Sequence, residues 1–383
     1  MIYLDYAATT PADPRVVEQM VAHLGVGSCF ANPASRSHML GWQAEAAVEA
    51  ARKSISKVLH CDVRELVWTS GATESNNLAI KGALEFLRDQ GDSRRHIITS
   101  KTEHKAVLDV VEYLAGHGYQ TTYLEPDENG CISLESLESS ITKETALVSI
   151  MHVNNETGVI NPISELAECC KKNGALFHVD CAQSAGKLPL DLSHIPVDMI
   201  SLCAHKIYGP KGIGALFVRR NSEFGVRSQI HGGGHERGMR SGTLPTHQIV
   251  GFAEALRLCN DDMLSEKARI TKLRESFLEL LGDANFRING DLDNTVPGII
   301  NLSFPGIDGQ MLLTALPNLA VSSGSACNSA SMKPSHVLKA MGLDDEEALS
   351  SLRFSFGRFS NEDEVRDAAL QLREAINKLG RAR

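Results

Sequence analysis

The sequence has few aromatic residues and lacks the features that mark several specialised classes of protein. Aromatic residues make up 5% of the 383 residues, and no apolar run approaches the roughly 18 residues that a membrane-spanning helix needs. No secretory signal is predicted, because Met1 leads directly into Ile2-Tyr3-Leu4-Asp5 without a basic start. The net charge is -9 and no long run of Lys or Arg occurs, so we expect neither a membrane nor a nucleic acid as a partner.

The nine cysteines do not form the pattern of a disulfide framework. Their number is odd and no C-x-x-C pair occurs, which indicates a reducing compartment, and we expect the protein in the cytoplasm. Cys169-Cys170 lies in a helical pattern and lacks the spacing of metal ligands. Structural use is the default interpretation for the cysteines without a distinctive setting, which are Cys29, Cys61, Cys131, Cys169, Cys170 and Cys259.

Between about residues 60 and 220, short apolar runs alternate with amphipathic helical patterns such as Lys105–Ala115 and Ile163–Asn173. This alternation predicts an α/β fold with a doubly wound, mainly parallel sheet. Ligands of such sheets bind at the carboxyl ends of the strands, so the residues after each run are the first candidates for a site. The predicted strands are Glu65–Thr69, His96–Thr99, Ala146–Met151, Ala175–Asp180, Asp198–Leu202 and Ile213–Val218.

The rest of the chain predicts a smaller α+β domain. A long helical pattern over Gln248–Leu281 leads away from the sheet, and shorter elements follow it. We predict a large α/β domain over residues 12–255 and a small domain formed by residues 1–11 and 256–383. The shorter elements are Gly298–Phe304, Gly309–Leu316, Leu352–Phe356 and a final helix over Glu362–Leu379.

The run Ser70-Gly71-Ala72-Thr73-Glu74-Ser75-Asn76 follows a predicted strand and precedes a helical pattern. Small residues at a helix N-terminus let backbone N–H groups point into one space, which suits a phosphate. The alternative is an ordinary strand–helix turn with Thr73 as the N-cap, and the run taken alone favours it. A Walker loop is excluded because the run lacks G-K-[ST].

Two charged residues at strand ends point to chemistry on an aromatic cofactor. Asp180 ends an apolar run and could pair with a pyridine nitrogen, although a helix cap is the plain alternative. Lys206 comes directly after another apolar run, twenty-six residues later, where a lysine is unusual unless it is used. A lysine there could form a Schiff base, or could simply reach water at the rim of the sheet. The two residues together favour the catalytic interpretation.

Three further polar residues are candidates on local evidence. His104 could stack on a cofactor ring and move protons, or could cap a helix. Asn155 could bond a phenolic oxygen, or could form an Asx turn. Arg353 lies in an alternating strand, where it could bind a carboxylate with two hydrogen bonds or could face solvent.

Cys327 lies within a run of small residues, Ser322-Ser323-Gly324-Ser325-Ala326-Cys327-Asn328-Ser329-Ala330-Ser331. Such a run buries little apolar surface, so the thiol is expected to be exposed and mobile. A nucleophile and an incidental surface cysteine are equally compatible with this setting alone.

Taken together, these residues resemble the class V aminotransferase branch of the fold-type I pyridoxal-phosphate enzymes, and within it the NifS/IscS-type cysteine desulfurases. The resemblance extends from Ile2 to the last helix. It is carried by Ser70–Asn76, by Asp180 with Gln183 and His205-Lys206, and by the matching stretches Tyr3–Thr10, Asn32–Ser35, Thr102–His104, His152–Glu156, His231–Pro245 and Ser322–Ala330.

The resemblance implies a role for each matching residue. Lys206 would carry pyridoxal 5'-phosphate covalently and then remove the substrate α-proton, His104 would stack on the cofactor ring, and Cys327 would receive the sulfur as a persulfide. The implied contacts are Asp180 to the pyridine nitrogen, Gln183 and Asn155 to the phenolic oxygen, Ala72, Thr73, Cys203, His205 and Thr243 to the phosphate, and Arg353 with Asn155 to the substrate carboxylate.

The resemblance also implies partners. Thr243 would act across a homodimer, and the sulfur would go to an iron–sulfur scaffold protein and other acceptors, with Cys327 able to share a cluster through its persulfide. The family usually has Ser and Gly where this chain has Cys203 and Ala204, and a thiol is a weaker phosphate donor than a hydroxyl. Because the sequence ends soon after its last helical pattern, docking through the C-terminal extension of IscS-type relatives is not expected.

Rival interpretations within this branch are a selenocysteine lyase and a small-amino-acid aminotransferase, and the serine-rich run around Cys327 argues against both. A catalytically silent sulfur-relay subunit is a rival of another class. The presence of Lys206, Asp180 and His104 argues against it.

Overall fold

A computed structural model describes residues 1–220, 224–323 and 333–380 of the chain. The strands are β1 (Ile2–Tyr3), β2 (Leu66–Thr69), β3 (His96–Ser100), β4 (Gln120–Leu124), β5 (Thr145–Ser149), β6 (Leu176–Asp180), β7 (Met199–Cys203), β8 (Gly214–Val218), β9 (Arg287–Asn289), β10 (Ile299–Ser303), β11 (Leu319–Ala320), β12 (Ser322–Ser323) and β13 (Ser351–Ser355). The helices are α1 (Pro14–Val21), α2 (Met39–Leu59), α3 (Ala72–Asp89), α4 (Lys105–Ala115), α5 (Leu134–Ser140), α6 (Ile163–Lys172), α7 (Thr246–Leu281), α8 (Gly309–Ala315), α9 (His336–Ala340), α10 (Asp345–Leu349) and α11 (Glu362–Gly380).

Seven strands form the large sheet, in the order β2-β8-β7-β6-β5-β3-β4. The neighbours from β7 to β4 all pair in parallel, and β8 is antiparallel to both β2 and β7. Strand β2 therefore runs in the same direction as the parallel strands, and the carboxyl ends of β2, β3, β5, β6 and β7 lie at one edge. The predicted α/β fold with a mainly parallel sheet is confirmed.

Alternate residues of the large sheet enter two separate hydrophobic clusters. On β7, Ile200 packs into one cluster and Met199 into the other, and on β5 Val148 and Leu147 divide in the same way. Helices cover both faces, so the strands are continuously apolar, as buried parallel strands are. This burial explains why the strands were recognisable in the sequence as short apolar runs.

A second, antiparallel sheet follows in the order β12-β13-β10-β9, and β1 pairs in parallel with β11 nearby. Its core is a third hydrophobic cluster that contains Leu4, Phe277 and Phe354. Helix α7 joins the two parts, because Phe252 packs in the core of the large sheet and Phe277 packs in this third cluster. The predicted boundary between residues 255 and 256 falls inside α7, and the domain division stays a prediction.

The predicted elements agree with the observed ones to within a few residues. The sequence missed β4, whose residues Gln120–Leu124 include Gln and two Thr and are only partly buried, because it lies at the edge of the sheet. It also missed the short strands β1, β9, β11 and β12 and the helices α1, α2, α5, α9 and α10. No helix within residues 1–220, 224–323 and 333–380 combines the length and the apolar character that crossing a bilayer requires.

A buried ion pair anchors the loop between β8 and α7 to the large sheet. Both guanidinium nitrogens of Arg52 donate to the Glu236 carboxylate, at 2.8 and 2.9 Å, and the Trp68 backbone N–H donates to the same carboxylate at 2.9 Å. The side chains of Arg52 and Glu236 are only 3% and 2% exposed. Glu236 and Arg237 both have positive φ, of 50° and 58°, and this pair holds them in that backbone conformation.

We predict that Glu236→Gln lowers the free energy of unfolding by about 3–5 kcal/mol, because it leaves a buried guanidinium with only the exposed carboxylate of Glu49 as a counter-charge. The shift in the urea midpoint of unfolding measures this effect. The matched control is Asp363→Asn, which removes the partner of Arg366 from an exposed pair and should change stability by less than about 1 kcal/mol. Equal, small shifts for the two variants would show that the buried pair does not anchor the loop.

Candidate active site

The candidate residues meet at the edge of the large sheet where the parallel strands end. His104 follows β3, Asn155 follows β5, Asp180 ends β6 and Lys206 follows β7, while α3 begins just after β2. The sheet order places these strand ends side by side, in the position at which α/β sheets bind ligands.

Asp180 is a buried carboxylate, 6% exposed, with its orientation fixed by two donors. The Asn76 side-chain amide donates to Oδ2 at 2.8 Å, and the Ala182 backbone N–H donates to Oδ1 at 2.9 Å. Each carboxylate oxygen can accept more than one hydrogen bond, so Asp180 keeps capacity for a further donor. Asn76, which the sequence placed only in the phosphate run, is therefore part of the support of this carboxylate.

Lys206 lies on the loop after β7, the strand that pairs with the one that Asp180 ends. Within the described residues its Nζ makes no hydrogen bond and no ion pair. The neighbouring His205 contacts the Thr9 hydroxyl through Nδ1 at 3.2 Å. Burial, with repulsion from Lys206 as the next cause, lowers the pKa of His205 to about 4, so this imidazole is neutral at neutral pH.

His104 is the N-cap of α4, which was the plain alternative for this residue. Its Nδ1 accepts a hydrogen bond from the Ala106 backbone N–H at 3.1 Å. Burial, and after it the charge of Lys206, lowers the pKa of His104, so the ring is neutral. A neutral ring whose Nδ1 accepts must carry its proton on Nε2, and the cap therefore fixes both the tautomer and the ring position.

The N-terminus of α3 offers free backbone donors. The N-cap is Gly71, with no side-chain cap, and Thr73 lies in the first turn, so the expectation that Thr73 could be the N-cap is wrong. The first N–H groups of a helix have no partner inside it, which leaves those of Ala72 and Thr73 available. The turn is tightly packed, because a Cβ at Gly214 would lie 2.7 Å from the Gly71 Cα.

The other two residues implied for the phosphate are placed differently. Cys203 is buried in β7, where it pairs with Gly214, and burial raises the pKa of its thiol. Thr243 is exposed on the loop before α7. No hydrogen bond within the described part of the single chain joins Thr243 to Ala72, Thr73 or Lys206.

Arg353 is buried at the junction of the two sheets and not exposed to solvent. One guanidinium nitrogen donates to the Asn155 backbone carbonyl at 2.8 Å, and the other donates to Asp5 Oδ1 at 2.8 Å. Arg353 Nε and Asn155 Oδ1 are buried and have no partner within the described residues. The structure thus brings Arg353 and Asn155 together, and Asp5 is a contact of Arg353 that the sequence did not reveal.

Gln183 lies in the turn after β6 and is 3% exposed. Its Nε2 donates to the Ala7 backbone carbonyl at 2.8 Å, and its Oε1 accepts from Lys187 Nζ at 2.8 Å. One hydrogen of the amide group remains for another acceptor.

Cys327 lies outside the described residues. Within the described ones no group of three or more His, Cys, Asp or Glu side chains could hold a metal ion. Cys29, Cys61 and Cys131 are partly buried, Cys169, Cys170 and Cys259 are buried, and burial raises the pKa of each of these thiols.

Two buried carboxyl groups near the site were not predicted from the sequence. Glu103 Oε1 accepts from the Met151 backbone N–H at 2.6 Å, and burial raises the pKa of Glu103 well above its ordinary value. Glu156 accepts from the Ser335 hydroxyl at 2.5 Å, and burial raises its pKa to about 7. In the sequence, the turn signal in Asn154-Asn155-Glu156 could have drawn attention to Glu156, and no local pattern indicated a buried Glu103.

The donors and acceptors fit the groups of pyridoxal 5'-phosphate. The unpartnered amine of Lys206 suits an aldehyde, and the carboxylate of Asp180 suits a pyridine nitrogen. The free N–H groups at α3 suit a phosphate. The Gln183 amide keeps one unused hydrogen and Asn155 Oδ1 is buried without a partner in the described part of the chain, so both amides have capacity for a polar ring substituent.

The comparisons with known proteins agree with this geometry. Residues 2–367 match the family model described as aminotransferase class-V. The chain is 57% identical over 379 residues to cysteine desulfurase IscS of Vibrio vulnificus, covering 99% of this chain and 93% of that protein.

Two solved structures are similar to the chain. One, described as a NifS-like protein, has a TM-score of 0.91 and 36% sequence identity, covering 99% of this chain and 100% of that one. Another, described as SspA in complex with cysteine, has a TM-score of 0.83 and 40% identity, covering 93% of this chain and 99% of that one.

We predict that Glu156→Gln becomes more stable relative to the unmodified protein as pH rises. A carboxyl pKa of about 7 in the folded protein exceeds the unfolded value, so Glu156 contributes stability that is complete below about pH 4.5 and lost by about pH 7. Gln stays neutral throughout, and the difference in unfolding free energy should change by about 2–3 kcal/mol between pH 5 and pH 8. A difference that is the same at both pH values would contradict the buried, protonated state.

Proposed function

Because the chain belongs to the class-V aminotransferase family and is a cysteine desulfurase of the NifS/IscS type, we propose that Lys206, Asp180 and His104 form the centre at which it converts L-cysteine to L-alanine. The observation that carries this proposal is that a Lys206 amine without a partner among the described residues and a fixed, buried carboxylate follow adjacent parallel strands at the carboxyl edge of the sheet. The enzyme depends on pyridoxal 5'-phosphate, as its family does.

When bound, the cofactor supplies an electron-withdrawing ring that stabilises negative charge on the substrate carbon. Asp180 holds a proton on the ring nitrogen by its negative charge, and Asn76 keeps that carboxylate in place. Gln183 and Asn155 serve the phenolic oxygen, and Ala72, Thr73, Cys203 and His205 serve the phosphate. The neutral His205 acts there as a hydrogen-bond donor and not as a positive charge.

Lys206 would hold the cofactor covalently, and its amine would remove the proton from the substrate α-carbon. His104 packs against the ring as a neutral imidazole with its proton on Nε2, directed away from the helix that it caps. In that tautomer Nδ1 is occupied by the Ala106 N–H and Nε2–H is a hydrogen-bond donor, so we assign His104 stacking on the ring and hydrogen-bond donation.

Arg353 and Asn155 hold the substrate carboxylate. A buried guanidinium already held by the Asn155 carbonyl needs little reorganisation to bind an anion, and its contact with Asp5 balances the charge before substrate arrives. Asp5 also accepts from the Ser322 hydroxyl at 2.9 Å, so the carboxylate site is linked to the chain that leads to Cys327.

Cys327 receives the sulfur as a persulfide. Its thiolate attacks the substrate sulfur, so that an S–S bond forms while the C–S bond breaks. The electron pair of the broken bond stays on carbon, which takes up a proton and leaves as alanine. The persulfide then serves iron–sulfur cluster assembly and other acceptors. The position of Cys327 in the small-residue run supports this role, and a cluster shared through the persulfide is part of the same proposal.

A homodimer is proposed because one stretch of the chain exposes many large apolar side chains. Among the described residues fifteen large hydrophobic side chains are exposed, and eight of them fall between residues 17 and 42. Such a concentration marks an interface. Exposed Thr243 is then available to a phosphate in the neighbouring subunit. The eight residues are Val17, Val21, Leu24, Val26, Phe30, Met39, Leu40 and Trp42.

A cytoplasmic location is proposed from the cysteine content. The eight cysteines that the structure describes are all unpaired thiols, as a reducing compartment requires.

We predict that purified protein with added L-cysteine forms alanine, and that Lys206→Ala lowers the rate by at least about 10³-fold because the covalent carrier and base is lost. The matched control, Lys211→Ala, removes an exposed lysine five positions away and should retain the unmodified rate. Alanine and sulfide are measured separately. With Cys327→Ser, persulfide on the protein should vanish, and sulfide released at the unmodified rate under reductant would remove Cys327 from the mechanism.

We predict that Trp42→Glu weakens the dimer by roughly tenfold or more, because a charge replaces an apolar side chain worth about 1.5–3 kcal/mol on burial. Light scattering over a dilution series measures the mass. Tyr113→Glu, on a similarly exposed aromatic outside this stretch, is the control and should leave the mass unchanged. A Trp42→Glu protein that dissociates no more than the control would exclude this stretch as the interface.

A further inference from the structure

Lys187 is a second lysine near Lys206 that the proposed mechanism leaves unused. It follows the Asp180 strand end by seven residues and lies in the turn that also carries Gln183. Its Nζ donates to Gln183 Oε1 at 2.8 Å and makes no ion pair within the described residues. Both lysines line one cavity between α7 and the loops that follow β6 and β7, together with Ala7 and Cys259.

The backbone of this turn directs Lys187 toward Gln183. The Ala185 N–H bonds the Cys181 carbonyl, and the Lys187 N–H bonds the Ser184 carbonyl, both at 3.0 Å, which makes a compact turn. Gly186 has φ +69°, and a Cβ there would lie 2.7 Å from the Cys259 Cβ. Position 186 therefore requires glycine, both for its positive φ and because a side chain would collide with Cys259. This backbone conformation sets the direction in which the Lys187 side chain extends from the turn.

A charged lysine can only donate hydrogen bonds, so Lys187 is one of two groups, with the Ala7 carbonyl, that decide which way the Gln183 amide faces. The two ends of an amide have nearly the same shape but opposite hydrogen-bonding character. Lys187 requires the oxygen end, and the Ala7 carbonyl, which can only accept, requires the nitrogen end. With both ends fixed, the amide nitrogen keeps one hydrogen for a further acceptor, and an amide turned the other way would offer an oxygen lone pair instead.

The surroundings of Lys187 are consistent with a held side chain. The groups that face it are Lys206 from the loop after β7, Cys203 of β7, Cys259 of α7 and Arg353 of β13. Burial, and next the repulsion of Lys206, lowers the pKa of Lys187 to about 8. Neutral or charged, an amine with this contact donates to Gln183, because the amide oxygen accepts from both forms.

We propose that Lys187 is a positioning residue that locks the orientation of the Gln183 amide, so that its N–H and not its C=O meets the phenolic oxygen of the cofactor. This inference rests on the proposed function, since it needs the cofactor to be held at Lys206. An N–H donor spreads the negative charge of that oxygen, which lowers the proton affinity of the nearby nitrogen that joins Lys206 to the cofactor. An amide oxygen in the same place would do the opposite.

The test is a pH titration of the visible absorption band of the holoenzyme, reconstituted with pyridoxal 5'-phosphate. Lys187→Gln supplies a partner that can face the amide either way, and Lys187→Met supplies none. Both should raise the apparent pKa of the band by roughly 0.5–1 unit, the equivalent of about one hydrogen bond. Lys187→Arg keeps a side chain that only donates and should titrate like the unmodified enzyme.

A second set of variants separates amide orientation from loss of charge. In a Gln183→Met background there is no amide to orient, so adding Lys187→Gln should produce no further shift. Three results would overturn the proposal. The shift could persist in the Gln183→Met background, the band could stay unshifted in both Lys187→Gln and Lys187→Met, or Lys187→Arg could shift as much as they do. An unmodified protein that develops no visible band with pyridoxal 5'-phosphate would instead contradict the proposed function.

Discussion

The parallel direction of the strands in the large sheet is the constraint on which the site depends. Because β3, β5, β6 and β7 all end at one edge, residues that are far apart in sequence arrive there together. Burial on both faces leaves little freedom in that arrangement. The hydrophobic packing of the sheet thus sets the distance between the Asp180 carboxylate and the loop that carries Lys206.

The charge state of each buried group at this edge depends on whether it has a partner of opposite charge. Arg353 has Asp5, and Arg52 has Glu236. Glu103 and Glu156 have no such partner within the described residues, and burial raises the pKa of each, that of Glu156 to about 7. His104 and His205 are kept neutral by burial and by Lys206. Asp180, held by Asn76 and the Ala182 N–H, is the carboxyl group best placed to act on a bound ring.

How much of the site could be predicted depended on whether contacts were local in the sequence. Asp180, Lys206, His104 and Asn155 each follow an apolar run, so their meeting could be predicted from the fold class. The Arg353–Asp5 contact joins residues 348 positions apart, in elements that pair only in three dimensions, and no pattern indicates it. Lys187 and Gln183 are only four positions apart in the sequence. Their contact nevertheless depends on a turn conformation that the sequence suggests only through Gly186.

The central claim is that the aldehyde cofactor is attached at Lys206, although Lys187 lines the same cavity. Borohydride reduction of the holoenzyme fixes the attachment permanently, and proteolysis with mass spectrometry then identifies the modified lysine. The account predicts a single phosphopyridoxyl group on the peptide that contains Lys206. A group found on Lys187 or on any other lysine, or a protein that reduction leaves unmodified, would contradict it.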